Sequence, residues 1–432
     1  MQKPIQIVVG GQFGSEAKGA IAGYLALRDN IQIAVRTGAT NAGHTVVYDG
    51  TRYSMQQIPV GWVNPNTALV LGAGSLIDPV ILRREIELIT KATGTSPVNR
   101  MFIDTRAHIH AEIHHQRAAE ANRHHSMGAT GKGCSEALID RVRLRGSADF
   151  SVANNMHEMP SGPAYIDTES MLNAAYDAGA RIQLEGTQGQ LLDLYLGPYP
   201  YVTHKQTGPA LWLSEAGFSP NVELDIVAAM RTYPIRVAGN SGPMPSETSW
   251  PILARKINLK RDAIGHAPIV SESSITAFES AVCQAAMGMD MPIINGQVSG
   301  GLDMHNWSDD TRAAYRVVCS ELHKKALEKL QPEVLRDLGQ LFEMTTVTKK
   351  LRRIAYADPH TVTVAARQIR PTQVALTFFN YEFPDAWYTS ENLNLSELNY
   401  CRQWSNAMRA PITLVGRGPD PAHIVETGIR RG

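Results

Sequence analysis

An apolar run that leads directly into a glycine-rich loop is the feature of this 432-residue chain that most restricts its fold. Residues 5–9 read IQIVV, residues 10–19 read GGQFGSEAKG, and the apolar segment AIAGYLAL precedes a second β-rich run at residues 31–36. A strand, a loop, a helix and a strand in this order predict a βαβ unit over residues 1–36. We therefore expect an α/β protein with a largely parallel central sheet and flanking helices.

The alternation of strand and helix patterns continues along the chain. A surface helix is predicted at residues 79–92, with charged residues on one side and an apolar face that comprises Val80, Ile81, Ile86, Leu88 and Ile89. Residues 249–343 have a helical texture and few site-like residues, and we interpret them as a helical insertion in a single domain that covers residues 1–432. β-rich runs predict further strands at residues 68–74, 181–186, 361–379 and 410–420. The run at 410–420 is predicted to be the final strand of the chain.

Composition excludes some classes of partner. Lysine plus arginine and aspartate plus glutamate each total 41, so no global field favours nucleic acid or an anionic membrane. The four cysteines lie far apart without a CxxC pair, which is typical of a reducing compartment. No apolar run has the length of a signal core or a membrane span. We therefore expect a cytoplasmic protein, in the host cytoplasm if the chain is viral, with no nucleic-acid or membrane partner.

Several loops carry residues suited to phosphate chemistry. The first loop offers main-chain N–H groups at a strand-to-helix turn together with Lys18, which favours a polyphosphate site. It matches neither GxxxxGK[ST] nor GxGxxG, and a plain tight turn is the alternative. His44 follows the second strand, where ligands collect in open α/β sheets, and is a candidate general acid or else a structural histidine. Residues 127–133 (MGATGKG) and 345–353 (TTVTKKLRR) are candidate anion loops or solvated surface.

Six histidines lie between residues 108 and 125. His110 and His114 are four residues apart and could share a metal ion on a helix. The spacing matches no metal signature and no cysteine joins it, so we interpret the run as a polar helix face.

Seven segments, taken in chain order, resemble the adenylosuccinate synthetase family. The family's first loop has the form GxQWGDEGKG, and residues 11–19 read GQFGSEAKG here. The other segments are NAGHT (41–45), GATGKG (128–133), EGTQGQLLD (185–193), YPYVT (199–203), TTVTKKLRRIAYAD (345–358) and GPD (418–420). The resemblance implies the P-loop-like α/β fold of that family, a homodimer, and a ligase that forms a C–N bond. In this reaction a nucleoside triphosphate with Mg2+ phosphorylates O6 of a 6-oxopurine nucleotide, and the amine of L-aspartate then displaces the phosphate from C6.

The resemblance also implies a role for each matching residue. Ser15, His44 and Gln188 occupy catalytic positions, with His44 as the acid, and Ser15 and Gly43 occupy the metal-binding positions. The triphosphate site comprises Gly14, Glu16, Ala17, Lys18, Gly19, Gly43, His44, Thr45, Phe378, Asn380, Gly418 and Pro419. The substrate-nucleotide site comprises Ser15, Asn41, Thr130, Gln188, Thr203 and, from a second subunit, Arg145 or else Arg143. The aspartate site comprises Lys132, Thr348, Lys350, Arg352 and Arg353.

One departure from the family pattern concerns the acceptor. Ser15 stands where the family has an aspartate that takes the N1 proton, and a small neutral side chain leaves room for a 2-amino group on the purine. This substitution resembles the phage-type branch of the family, which makes N6-succino-2-amino-2'-deoxyadenylate for 2-aminoadenine synthesis, so dGMP is the expected acceptor. The alternatives are a conventional enzyme acting on IMP and a non-catalytic nucleotide-binding paralogue.

A second departure concerns the phosphoryl donor. Phe378 and Asn380 stand where the family has a Lys-x-Asp segment that reads guanine. Asparagine can donate to adenine N1 and accept from its N6 amine, while Phe378 offers a stacking face. ATP or dATP is therefore the expected donor. In the aspartate segment Lys350 stands where an arginine is usual, which keeps the charge but loses the bidentate fork.

Overall fold

Strands and helices alternate over most of the chain in the computed structural model, which describes residues 4–121, 131–144, 150–287, 309–345 and 350–430. The strands are β1 (Ile5–Gly10), β2 (Ile33–Arg36), β3 (His44–Tyr48), β4 (Thr51–Met55), β5 (Ala68–Leu71), β6 (Leu76–Ile77), β7 (Met101–Asp104), β8 (His108–Ile109), β9 (Ala164–Ile166), β10 (Ile182–Glu185), β11 (Leu224–Arg231), β12 (Ile235–Arg236), β13 (Glu247–Thr248), β14 (Arg353–Ala355), β15 (Gln373–Thr377), β16 (Ile412–Gly416) and β17 (Ile424–Glu426). The helices are α1 (Lys18–Arg28), α2 (Pro79–Thr93), α3 (Glu112–Glu120), α4 (Cys134–Arg143), α5 (Thr168–Asp177), α6 (Pro209–Ala216), α7 (Trp250–Asp262), α8 (Glu272–Met287), α9 (Asp309–Lys329), α10 (Pro332–Leu338), α11 (Pro359–Ile369) and α12 (Leu395–Met408).

Ten strands form the central sheet, in the order β17-β16-β15-β11-β1-β10-β2-β5-β7-β9. Every neighbouring pair is parallel except β16 and β17. The prediction of a largely parallel sheet is confirmed, and so is the βαβ unit, although β10 separates its two strands. Because parallel strands end at one edge, the loops that follow β1, β2, β10, β11, β15 and β16 share that edge.

Helices cover both faces of this sheet. On one face α1 and α2 bury Ile21 and Leu82 in a cluster that includes Val8 of β1. On the other face α5, α6, α11 and α12 form a second cluster, in which Trp212 packs with Ile7 of β1. Successive residues of a strand point to opposite faces, so β1 contributes to both cores and holds the following loop rigidly at the centre of the sheet.

Helices α7 to α10 form a third core beside the sheet. They pack Leu253, Phe278 and Leu322 with Ile354 of the small antiparallel sheet β12-β14-β13 and with Tyr381. The helical texture predicted for residues 249–343 is therefore present in the described part of that range. That these helices are an insertion in the domain stays a prediction.

The prediction of a strand at residues 361–379 was wrong for the first part of this range. Residues 359–369 form α11, and only Gln373–Thr377 form a strand. Asp358 caps the helix by accepting from Thr361 N at 2.8 Å, and Pro359 occupies its first turn. These start signals outweigh the low helix propensity of the β-branched residues that follow.

Two smaller details also differ. Helix α2 forms as predicted, but Val80 is 72% exposed and the buried face carries Leu82, Glu85 and Ile89. The strand predicted within 410–420 is β16, and it is not the final one, because β17 follows and pairs with it antiparallel. Within the described residues, no helix combines the length and the apolar character needed to cross a membrane.

Candidate active site

The residues predicted for the site lie on loops and strand ends around the carboxyl edge of the sheet. Gly14 to Gly19 span the β1–α1 loop and the start of α1. The remaining described ones are Asn41, Gly43, His44 and Thr45 at the start of β3, Lys132 before α4, Gln188 and Thr203 after β10, Lys350, Arg352 and Arg353 at β14, Phe378 and Asn380 after β15, and Gly418 and Pro419 after β16. Thr130, Arg145 and Thr348 lie outside the described residues.

The first glycine loop and the loop after β10 are in main-chain contact. A Cβ atom built on Gly10 would lie 2.6 Å from the Gln188 oxygen, and one built on Gly189 would lie 2.3 Å from the Gln12 oxygen. Lys18 Nζ donates to the Gln188 oxygen at 2.5 Å across the same contact. The two loops can approach this closely only because glycines lie at the contact, so the loop predicted to bind the triphosphate and the loop predicted to contact the purine form one unit.

A carboxylate of the protein itself occupies the inside of the first loop. Glu16 is fully buried, and its Oε1 accepts from the main-chain N–H groups of Gln12 at 3.1 Å and Gly14 at 2.7 Å. Its Oε2 accepts from Lys18 Nζ at 2.8 Å. A phosphate at this loop would therefore compete with the Glu16 carboxylate for Lys18 and for these two N–H groups.

Four of the predicted site residues have left-handed backbone conformations although they are not glycines. The φ angles are 61° at Ser15, 58° at Ala17, 63° at Gln188 and 54° at Phe378. Such a conformation costs about 1–2 kcal/mol for a residue with a side chain, so the surrounding contacts must hold it. Strain of this kind concentrates at binding and catalytic sites.

His44 is the end of a buried charge relay at the start of β3. Its Nδ1 lies 2.5 Å from Glu185 Oε1, and the same carboxylate accepts from Arg36 Nη1 at 2.9 Å and from Val60 N at 2.7 Å. Because a carboxylate only accepts, Nδ1 carries the proton and Nε2 carries the lone pair. Among the described residues, the buried Nε2 has no hydrogen-bond partner, so it is available to a ligand.

Burial controls the charge of this group. Burial first, and then the Arg36 charge, lower the pKa of His44 to about 4, against the raising effect of Glu185. Burial alone would raise the pKa of the Glu185 carboxyl, but His44, Arg36 and the Val60 N–H together lower it. At neutral pH His44 is therefore a neutral imidazole beside an ionised carboxylate, and it can gain a proton when an anion arrives at Nε2.

The loop after β15 carries the residues predicted to read the donor base. Asn380 is buried, and the Phe378 ring is half-buried with the Arg231 guanidinium carbon 3.3 Å from its centroid. One face of this ring therefore stacks on a guanidinium, and the Tyr381 ring also contacts it, with the two ring centroids 5.3 Å apart. Beyond β16, Gly418 packs against the ring of His423, since a Cβ built there would lie 2.5 Å from His423 Nδ1.

The described part of the aspartate segment is held by ion pairs. Lys350 Nζ lies 2.9 Å from Glu321 Oε1 on α9, and Arg353 Nη2 lies 2.6 Å from Glu247 Oε2. Arg352 is half-buried, and burial first lowers its pKa, with Glu343 opposing this effect. An incoming carboxylate would therefore compete with acidic side chains of the protein for Lys350 and Arg353.

The predicted phosphate ligand Thr203 has a histidine beside it. Thr203 Oγ1 lies 3.4 Å from His204 Nδ1, and His110 Nδ1 lies 3.1 Å from the Thr40 hydroxyl that precedes Asn41. Burial first, and then neighbouring charges, lower the pKa of His204 and that of His110 to about 3. The side of the site that Thr203 and Asn41 would line therefore carries neutral imidazoles.

The interpretation of the histidine run as a polar helix face was wrong for His110 and His114. His110 is 2% exposed, and His114 is fully buried with its Nε2 3.3 Å from Asp140 Oδ2. His108 and His110 precede helix α3, and both of their rings contact the ring of His114 on this helix, so the three side chains pack together inside the protein. In the described ranges, no group of three or more His, Cys, Asp or Glu side chains could hold a metal ion.

Sequence reasoning missed four charged residues that organise the site. Arg36 and Glu185 hold His44, whereas Arg231 and Glu343 join the first loop to the loop after β15. The sequence did indicate that Arg36 and Glu185 are paired, because each ends a strand of the parallel sheet, where a buried charged side chain needs a partner. Arg231 ends β11 in the same manner.

Comparison with known proteins agrees with this geometry. The family model described as adenylosuccinate synthetase matches residues 7–158 and 149–381. The adenylosuccinate synthetase of Methanococcus maripaludis strain C7 is 40% identical over 247 residues, which is 56% of this chain and 69% of that protein. The one of Thermococcus onnurineus is 38% identical over 248 residues, covering 57% of this chain and 70% of that protein.

Two solved structures have the same fold. Cyanophage S-2L succinoaminodeoxyadenylate synthetase, bound to dGMP and dATP as an energy donor, gives a TM-score of 0.66 at 23% identity and covers 99% of this chain and 97% of that one. The fully ligated adenylosuccinate synthetase of Plasmodium falciparum gives a TM-score of 0.65 at 16% identity, covering 98% of this chain and 99% of that one.

The family model and the curated relatives show that the chain is a nucleotide-binding ligase of purine biosynthesis, which forms a C–N bond, and the fold agrees with this class. More particularly, the chain belongs to the adenylosuccinate synthetase family.

Proposed function

We propose that the protein joins L-aspartate to C6 of dGMP with ATP or dATP as phosphoryl donor, giving N6-succino-2-amino-2'-deoxyadenylate, ADP or dADP, and phosphate. The observation that carries the proposal is Ser15, an exposed hydroxyl on the first loop at the position where the family has a carboxylate. A carboxylate at this position would fill the space that the 2-amino group of guanine needs, whereas the smaller serine leaves that space open. A protein of this fold solved with dGMP and dATP supports the same assignment.

His44 would serve as the acid on the phosphoryl side of the reaction. Its neighbours Gly43 and Thr45 are exposed, while the imidazole itself is buried and hydrogen-bonded to Glu185. Arrival of a polyanion at Nε2 favours the imidazolium, which Glu185 also stabilises. The imidazolium then donates a hydrogen bond to the oxygens that gain charge as the phosphoryl group moves to O6.

Gln188 would contact O6 and N1 of the purine, and Lys18 would bind the phosphates of the donor. The left-handed Gln188 presents its side chain from the loop after β10, and its carbonyl oxygen fixes Lys18 at 2.5 Å. The amide can donate to O6 and accept from N1–H. Lys18 lies at the start of α1, where its charge adds to the positive end of the helix dipole.

The oxygen donors on this edge fit a magnesium ion bound mainly by phosphates. Ser15 and Gly43 are exposed and offer a hydroxyl and a main-chain carbonyl, whereas the nearby Glu16 carboxylate is committed to Lys18 and two N–H groups. Mg2+ is commonly held by few protein oxygens together with substrate phosphates and water. When bound by Ser15 and Gly43 it would neutralise charge on the transferring phosphoryl group.

Binding at the remaining positions follows the same assignment. Asn41, Thr203 and the undescribed Thr130 would hold the 5'-phosphate, with Arg145 supplied by the second subunit of a homodimer. Lys132, Lys350, Arg352, Arg353 and the undescribed Thr348 would hold L-aspartate. Adenine would stack on the Phe378 ring and pair with Asn380, and Gly418 and Pro419 would border it.

A conventional synthetase acting on IMP is the second candidate. It is favoured by the curated relatives at about 40% identity, which are adenylosuccinate synthetases. The two candidates share every residue described above and differ in what Ser15 does.

Phosphate release by the purified protein tests the proposal, with L-aspartate, MgCl2 and ATP and with either dGMP or IMP as acceptor. We expect release with dGMP, little with IMP, and a shift of at least about tenfold in the ratio of kcat/KM toward IMP in Ser15→Asp. Ser15→Ala is the matched control, because a small neutral side chain should keep the preference for dGMP. A wild-type enzyme that turns over IMP and leaves dGMP unconverted would contradict the proposal.

A further inference from the structure

Arg231 is a buried guanidinium at the carboxyl end of β11, next to the centre of the sheet. It has no exposed surface. Its Nη1 donates to the Ser15 carbonyl oxygen at 3.1 Å, its Nε donates to the Tyr233 oxygen at 2.9 Å, and the fork pairs with the Glu343 carboxylate, with Nη1 3.2 Å from Oε2. The Phe378 ring lies flat on it, 3.3 Å from the guanidinium carbon to the ring centroid. All the partners of one side chain therefore lie on site segments or beside them.

Three partners lie at positions assigned to different substrates or directly beside such a position. Ser15 is itself assigned to the acceptor, within a loop whose other residues are assigned to the triphosphate, and Phe378 is assigned to the donor base. Glu343 lies two residues before the segment assigned to aspartate and is tied to it, because its main-chain oxygen accepts from Arg352 N at 2.9 Å. The guanidinium is thus the point where the three substrate segments meet.

Two of these partners need outside support for their backbone. Ser15 and Phe378 both have positive φ angles, at 61° and 54°. Arg231 holds the first through its carbonyl oxygen and the second through its ring, and Thr232 Oγ1 also donates to the Phe378 oxygen at 2.7 Å. Burying a charged pair seldom adds stability, because desolvation offsets the attraction, so a stabilising role alone does not explain an arginine here.

We infer that Arg231 is a positioning residue that sets the acceptor, donor and aspartate segments in one arrangement. The inference rests on the proposed assignment of these segments to three substrates, and not on which purine is the acceptor. The planar fork reaches two carbonyl oxygens and a carboxylate while its face stacks on an aromatic ring, which a lysine ammonium cannot do. Loss of the guanidinium should therefore weaken all three substrate sites together.

Steady-state kinetics of Arg231→Lys tests this inference. The KM values for ATP, for L-aspartate and for the purine monophosphate that the wild-type enzyme uses should each rise by about tenfold. Arg100→Lys is the matched control, because Arg100 also donates to main-chain oxygens, at 2.6 Å to Thr67 and 2.9 Å to Trp62, on a segment outside the proposed site. The control should lower the Tm and leave the three KM values unchanged.

A second variant keeps the test decisive if Arg231→Lys does not fold. Glu343→Gln retains the shape of the partner and removes its charge, so the same three KM values should rise together by a smaller factor. The inference is overturned if either soluble variant changes the Tm alone, or raises one KM without the other two. If the wild-type enzyme uses IMP and not dGMP, the proposed function fails, but the comparison of variants with IMP still decides the role of Arg231.

Discussion

Removing the charge of Glu185 tests the relay behind His44. In Glu185→Gln the amide oxygen can replace only one of two carboxylate oxygens, which accept from Arg36, His44 and Val60 N. The amide NH2 then faces a buried donor, and the Arg36 charge loses its partner. Breaking a buried pair in this way costs about 3–5 kcal/mol of stability.

The catalytic effect of this substitution can be worked from the geometry. A carboxylate about 4 Å from an imidazolium stabilises it by about 4 kcal/mol at an effective dielectric constant of about 20. At about 1.4 kcal/mol per tenfold change in rate, kcat should fall by roughly a hundred- to a thousandfold. The pKa of His44 should also fall further, since Glu185 raises it, so the residual rate should increase toward lower pH.

A matched buried carboxylate separates these effects from simple loss of stability. Glu85 is fully buried and accepts from the main-chain N–H groups of Gln57 at 3.1 Å and Ile58 at 2.8 Å. Glu85→Gln should lower the Tm and leave kcat within about twofold of the wild type, since Glu85 has no contact with His44 among the described hydrogen bonds. A Glu185→Gln enzyme with a lowered Tm and the kcat of the wild type would refute the relay.

Three further outcomes follow from the described contacts. Asn380→Asp should shift the ratio of kcat/KM for ATP to that for GTP toward GTP by about tenfold or more, because a carboxylate accepts from guanine N1–H and cannot donate to adenine N1. An unchanged ratio in parallel assays would show that Asn380 does not read the donor base. Gly189→Ala places a Cβ 2.3 Å from the Gln12 oxygen, so thermal melting should show a loss of about 1–3 kcal/mol together with lost activity, and a fully active, equally stable protein would contradict the docking of the loops. Burial lowers the pKa of His44 to about 4 and that of His110 to about 3, so both pKa values are lower in the folded than in the unfolded protein. Each histidine therefore contributes its full share to the free energy of unfolding above pH 6.5, and this share is lost as the pH falls toward the pKa of the folded state. At pH 5 each should cost about 2 kcal/mol relative to pH 8, and equal urea midpoints at the two pH values would show that the imidazoles are not buried neutral groups.

Local patterns were sufficient for the central part of the fold. The run IQIVV, the glycine loop and the helix after it form β1, a turn and α1 as predicted, because strand and helix periods are written into adjacent residues. The same reasoning was wrong for residues 361–369, where Asp358 and Pro359 start a helix in a β-branched stretch. Competing local signals of this kind are decided by packing, and α11 packs on the sheet.

The site was predictable as a set of segments but not as a network. A resemblance by segments names residues that touch ligands, such as His44 and Gln188. It does not show that Glu185, 141 positions away, supports His44, or that Arg231 meets Ser15 across 216 positions. These contacts arise from the parallel order of the sheet, which places β10 and β11 on either side of β1.

The choice of acceptor is tested most directly by competition between the two purines in one reaction. The purified enzyme is given equal concentrations of dGMP and IMP with L-aspartate, ATP and MgCl2, and the products are identified by mass spectrometry. We expect the succinylated 2-aminopurine deoxynucleotide to form and IMP to remain. Adenylosuccinate as the product, with dGMP unconsumed, would contradict it.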